Sequence, residues 1–211
     1  MNKRFLILLV IAALTAGYAN AQSSFAERDS YVGFKMGMNS ANINVSGNSP
    51  NIRTKQGIQF GTLLETYFME SFGIQFSFLF TQQGFISDLN GKDFITKINY
   101  LQYPAHALYK VDIGEDAKIL LHAGPYLGVG INGKQKYDGE KEKIKLGFDK
   151  KKDLYNGIDF GFGIGIGAQY KLFRVDVAYN FGITDIALSD GISMKNTGLA
   201  ITLALVAPMV K

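Results

Sequence analysis

Hydrophobic and polar positions alternate along most of this chain with a period of two. Between Asn156 and Leu172, one face carries Ile158, Phe160, Phe162, Ile164, Ile166, Ala168, Tyr170 and Leu172. The other carries Gly157, Asp159, Gly161, Gly163, Gly165, Gly167, Gln169 and Lys171. Successive side chains of a strand point to opposite faces, so this pattern predicts a strand with one wholly apolar side; a helix would scatter the same residues around its surface. The split recurs in 72–81, in 173–184 and in 118–132, where Leu120 is the exception on the polar face. Eight such segments are predicted, at 31–43, 56–69, 71–84, 95–111, 117–132, 155–171, 173–185 and 197–208.

Many of these segments exceed the soluble mode of about five or six residues and are long enough to cross a bilayer with tilt. The connections alternate as well. Short links fall near 69–71, 112–116 and Leu172; long ones fall at 44–55, 85–94, 133–154 and 186–196. Short periplasmic turns and longer external loops are the pattern of a transmembrane barrel, and an even strand count closes one with both ends in the periplasm. Tyr67, Phe68, Phe72, Tyr109, Tyr170 and Phe173 sit beside the short turns, as an interfacial girdle would. A lipocalin-like soluble barrel would put its polar residues outside. Here that outside would be lined with glycine, whereas a narrow eight-stranded lumen has room mainly for small inward residues.

The N-terminus predicts export. Lys3 and Arg4 precede an apolar stretch from Phe5 to Ala16, followed by Ala19 and Ala21 as a small-x-small cleavage site. As a helix those twelve residues reach about 18 Å, short of a hydrocarbon core of about 30 Å. The expected organisation is a signal peptide over 1–21, cleaved after Ala21, and one barrel domain over 22–211. Removing the signal leaves 20 Lys+Arg against 18 Asp+Glu, too near neutrality to argue for nucleic acid. The absence of cysteine excludes a thiol nucleophile and a cysteine-ligated metal.

Parity assigns the inward face Lys35, Glu65, His106, His122, Asp159, Arg174 and Asp176, together with Gln59, Gln75 and Lys171. Charges of both signs in a narrow lumen are expected to pair, because an isolated buried ion is costly. The expectation is therefore a structural network that plugs the barrel in preference to a gated ion path. His106 and His122 are placed opposite each other by a turn near Gly114, with space-filling preferred over a metal or pH-sensing role. No Gly-x-Ser-x-Gly motif occurs, and the Gly157–Gly167 repeat follows strand spacing with no helix after it, so neither a hydrolase nor a dinucleotide motif is present. No catalytic residue, cofactor or metal is expected. The 133–154 segment carries eight lysines against five acidic residues and is expected to be a solvated, mobile external loop, with attraction to lipopolysaccharide phosphates or to an acidic partner as the functional option.

Several blocks carry a family resemblance: Gly33-Phe-Lys-Met-Gly-Met-Asn-Ser-Ala-Asn42, Ser77–Gly84, Asn99-Tyr-Leu-Gln-Tyr-Pro104, His122-Ala-Gly-Pro-Tyr-Leu-Gly128, Ile158–Gly165 and Gly182-Ile-Thr-Asp-Ile186. In this order they resemble the PorT-like outer-membrane β-barrel family of Bacteroidetes. The resemblance implies a signal peptide, a barrel of this size and an outer-membrane location; one member is associated with type IX secretion, and most have no assigned activity. The expected function is a structural or interaction role, as an accessory of envelope or type IX secretion machinery. A small-ligand binding or transport barrel is the alternative. Family members tend to end on an aromatic residue; this chain ends Val206-Ala-Pro-Met-Val-Lys211.

Overall fold

A computed structural model describes residues 29–46, 51–89, 91–149, 153–188 and 193–209. The expected export signal and its cut after Ala21 lie outside these residues. Eight long strands form the wall: β1 (Asp29–Ser46), β2 (Ile52–Tyr67), β3 (Phe72–Leu89), β4 (Lys92–Asp112), β5 (Ala117–Tyr137), β9 (Ile158–Tyr170), β10 (Phe173–Gly182) and β11 (Ser193–Pro208). Three short strands, β6 (Glu140–Ile144), β7 (Leu146–Gly147) and β8 (Tyr155–Asn156), lie in the connection between β5 and β9. Each wall strand pairs antiparallel with its neighbours, and β1 pairs with β11, so the sheet closes on itself. This is the predicted eight-stranded antiparallel up-and-down barrel.

The register fixes its shape. Partners run from Ser30 through Thr66, Ile74, Ala107, Ala123, Ile164, Tyr179 and Leu199 back to Ser40, ten residues further along β1. Ten residues of about 3.3 Å set against eight spacings of about 4.8 Å give a strand tilt of about 40°. Along β9 the outward residues Phe160 to Tyr170 then rise about 25 Å, the height of a barrel's apolar band.

Outward residues along this band are apolar on every strand, Thr62 of β2 apart, and many are well exposed: Phe173 is 68% and Leu203 62% accessible. A continuous apolar surface of this extent is incompatible with water and suits lipid. Phe72, Tyr109, Tyr170 and Phe173 stand at the short-turn end as expected, Phe72 and Tyr109 with ring centroids 4.8 Å apart. Tyr67 does not. It turns inward, packs edge-on against Tyr31 at 5.8 Å and takes the Lys110 ammonium over its ring at 5.4 Å. Parity places it inside, and its aromatic character alone suggested a girdle.

Several predicted loops are strand. The 85–94 loop is a tight hairpin between β3 and β4, and 133–137 continues β5, which pairs with β6. The 133–154 segment is thus no unstructured loop over its described residues. Lys171 is not a lumen residue: it occupies the turn between β9 and β10 at φ 52°, with its ammonium 3.6 Å from Asp116. The strand alternation ends one residue earlier than the sequence suggested.

Candidate functional site

The lumen is filled by large polar side chains, and the glycines of β9 make room for them. A Cβ at Gly161 would lie 2.5 Å from the Tyr126 hydroxyl, one at Gly163 3.1 Å from His106 Nε2, and one at Gly165 2.5 Å from the His122 ring. The stripe of every-second glycine is the space that β4 and β5 side chains occupy.

Nearest the short turns lies the strongest ion pair. Arg174 donates through Nη1 to Glu65 Oε1 at 2.5 Å and through Nη2 to Glu65 Oε2 at 2.9 Å, a two-pronged contact joining β10 to β2 across the lumen. Its Nε and Nη2 also donate to Gln169 Oε1 at 3.0 and 2.7 Å, and Nη1 reaches Gln75 Oε1 at 3.4 Å. Glu65 is fully buried and Arg174 is 4% exposed, so these bonds replace the water that both charges have lost.

Further up, His122 Nε2 lies 2.9 Å from Asp176 Oδ2, and His122 Nδ1 lies 2.9 Å from His106 Nδ1, with the two rings stacked at 5.0 Å. The carboxylate can only accept, so Nε2–H of His122 donates to it. For neutral rings, His122 Nδ1 then accepts from Nδ1–H of His106. Three of the four ring nitrogens are thereby committed. Only His106 Nε2 has no partner among the described residues, and no three metal-ligating side chains converge there. Lys35 is buried nearby, attracted by Asp176 and Glu65 and repelled by Arg174.

The third cluster sits towards the external end. Asp159, fully buried, accepts at Oδ2 from Asn196 Nδ2 at 3.0 Å and from the Tyr126 hydroxyl at 3.3 Å. Asn196 Nδ2 also reaches the Tyr100 hydroxyl at 3.5 Å. Of the seven candidate residues, Glu65 and Arg174 form one group, His106, His122 and Asp176 a second with Lys35 beside it, and Asp159 stands apart.

Above Asp159 the interior turns apolar, which the sequence pattern did not anticipate. Ile43, Phe85, Ile98, Ile144, Leu146 and Ile186 pack into one buried cluster under the external connections, with Tyr100 and Tyr155. Ile144 and Leu146 come from the segment expected to be a mobile loop. Between this cap and the polar clusters lies a cavity of about 10 Å³ lined by Asn39, Thr81, Gln83, Tyr126, Asn180 and Asn196. It holds about one water molecule.

The Gly182-Ile-Thr-Asp185 block anchors the cap. Thr184 Oγ1 accepts from the Phe160 amide at 3.0 Å, and Asp185 Oδ1 accepts from the amides of Ala187 and Met194, each at 2.9 Å. Burial is the largest single influence and raises the Asp185 carboxyl, but these two amides, a Ser193 hydrogen bond and the Lys195 charge together outweigh it and hold the group below the usual carboxylate range. A group with a depressed folded pKa contributes stability above its unfolded value, about 3.9, and loses it as the pH falls. Protection of the Ala187 and Met194 amides from hydrogen exchange is expected to hold at neutral pH and to drop below about pH 4. Asp185→Asn should remove that acid step; a step that survives the substitution contradicts the assignment.

The arrangement defines a class: a lipid-facing barrel with a closed, polar-filled lumen. The model of the outer membrane protein beta-barrel domain matches residues 6–205, and the chain belongs to that family of outer-membrane barrels. Solved structures are similar to the chain at low identity. The Ail attachment invasion locus protein of Yersinia pestis is 15% identical, covering 84% of this chain and 99% of its own, with TM-score 0.41. OprG from Pseudomonas aeruginosa is 12% identical, covering 85% and 97%, with TM-score 0.47. Neisserial surface protein A is 14% identical, covering 83% and 96%, with TM-score 0.44. None of the curated proteins matches the chain in sequence. The protein resides in the outer membrane.

Proposed function

We propose that this barrel has a structural or interaction role, is accessory to envelope or type IX secretion machinery, and acts through its external surface and not through its lumen. One observation carries this: side chains occupy the interior at successive levels, from the Glu65–Arg174 pair through the histidine pair to the apolar cap. Eight strands leave an interior that side chains can fill. In this reading the chain is a PorT-like protein of Bacteroidetes, exported by residues 1–21 and working as the 22–211 domain. It is not an enzyme, takes no cofactor, does not bind nucleic acid, and has envelope proteins and outer-membrane lipid as partners.

The alternative, a small-ligand binding or transport barrel, has the polar cavity beneath the cap in its favour. At about 10 Å³ that cavity accommodates no solute larger than water. Chemical cross-linking in native outer membranes, followed by purification and identification of attached proteins, tests the reading. A stoichiometric envelope or secretion component is expected; recovery of the barrel alone, uncross-linked to any protein, would overturn the accessory role.

A further inference from the structure

Beyond the lipid-facing band, β3, β4, β5 and β6 continue as a wall that projects past the short β9 and β10. Its lipid-side surface is layered. Gln82, Asn99 and Asn132 are cross-strand partners directly above the outward Phe80, Leu101 and Ile131, and Asn99 Nδ2 donates to Asn132 Oδ1 at 2.7 Å. Two residues further from the membrane stand Lys97, Lys134 and Lys143, consecutive partners across β4, β5 and β6. Lys136 and Lys141 pair in the next row. At the tip the charges neutralise one another, through Arg53 with Asp93 and Lys92 with Asp138.

The sides are settled by neighbours in the strand. Ile98 and Ile144 are buried in the cap and Gln135 donates inward to the Tyr155 hydroxyl, so Lys97, Lys143, Lys134 and Lys136 point outward. Glu140 and Glu142 pair with Tyr137 and Gln135 and share their inner side. The near-balanced charge of this hairpin therefore separates into an acidic inner face and an outer face of lysine alone. Among the described residues no carboxylate lies within 4 Å of these five ammonium groups. Lys55 lies near enough to Lys97 to repel it.

Directly opposed residues in a sheet have Cβ atoms about 4.5–5.5 Å apart, and like charges there are destabilising. A ladder of opposed lysines is stable when multivalent anion covers it. Four residues beyond the outward Leu101, about 10 Å along the axis at this tilt, the ladder stands past the hydrocarbon on the headgroup side, where lysine binds phosphate as a point charge. We propose that the Lys97–Lys134–Lys143 ladder, with Lys136 and Lys141, docks the phosphate groups of outer-leaflet lipid, lipopolysaccharide in particular. The site is independent of whether the barrel serves a secretion machine.

The test compares the wild-type protein with K97Q/K134Q/K143Q, each refolded into phosphatidylcholine vesicles with and without lipopolysaccharide. In neutral vesicles the triple variant is expected to melt at or above the wild-type temperature, because the like-charge pairs are gone. Lipopolysaccharide should raise the wild-type midpoint and leave the variant unmoved, its apparent affinity falling about a hundredfold at roughly a factor of five for each lysine. Salt should erase the wild-type gain, and Lys171→Gln on the periplasmic turn should behave as wild type. Inorganic phosphate at matched concentration should give no gain. Equal stabilisation of both proteins, no gain in either, or a full gain from free phosphate would overturn the proposal. If the triple variant fails to refold, the same comparison is read on Lys143→Gln, at the outermost strand.

Discussion

Glu65→Leu is expected to destabilise the barrel by about 3–5 kcal/mol, because it leaves Arg174 charged, buried and without its carboxylate. The two hydrogen bonds to Gln169 remain, but an amide oxygen does not neutralise a guanidinium. Removing both members together, as Glu65→Leu with Arg174→Met, should restore most of the loss, since well-packed apolar residues replace a buried ion pair at little penalty. Equilibrium urea unfolding in lipid vesicles measures both variants. A Glu65→Leu loss below about 1 kcal/mol would mean that water reaches Arg174 and that the lumen is open at that level.

Ile164→Arg is the second large effect. Ile164 lies midway between the outward Ile158 and Tyr170 of β9 and is 55% exposed on the lipid face. An arginine near the midplane of such a barrel costs about 2–4 kcal/mol, falling to about 0–1 near the interfaces. The same substitution at Ile158, by the external rim, should therefore be mild. Equal losses at the two positions would contradict the depth assigned to β9.

The period-two pattern carried the wall, its closure and the sorting of side chains, because lipid outside and a crowded lumen inside impose opposite chemistry on alternate residues. Lys35, Glu65, His106, His122, Asp159, Arg174 and Asp176 were all legible as inward on that basis. Their partners were not: Glu65 and Arg174 are 109 residues apart and meet only because the lumen is narrow and Gln75 and Gln169 flank them. The misjudged positions lie where the solvent changes. Above Asn99 the wall leaves the hydrocarbon and the alternation inverts, with Lys97 and Lys134 outside among polar surroundings and Ile98, Phe85 and Ile144 inside as a soluble-type core. A rule of apolar-out breaks there, so Ser87, Asp88 and the lysine-rich 133–143 stretch looked like loop. Tyr67 and Lys171 were misassigned for a more local reason, each sitting within two residues of a tight turn.

A closed lumen is tested most directly by planar-bilayer recording of the purified, refolded protein. Polar clusters and the apolar cap that block the interior predict a silent bilayer, with no sustained openings, and the same silence in a variant lacking the β6 hairpin as long as the Glu65–Arg174 and histidine groups remain. Sustained openings on the nanosiemens scale in the wild-type protein would contradict the plug and move the function from the barrel's surface to its lumen.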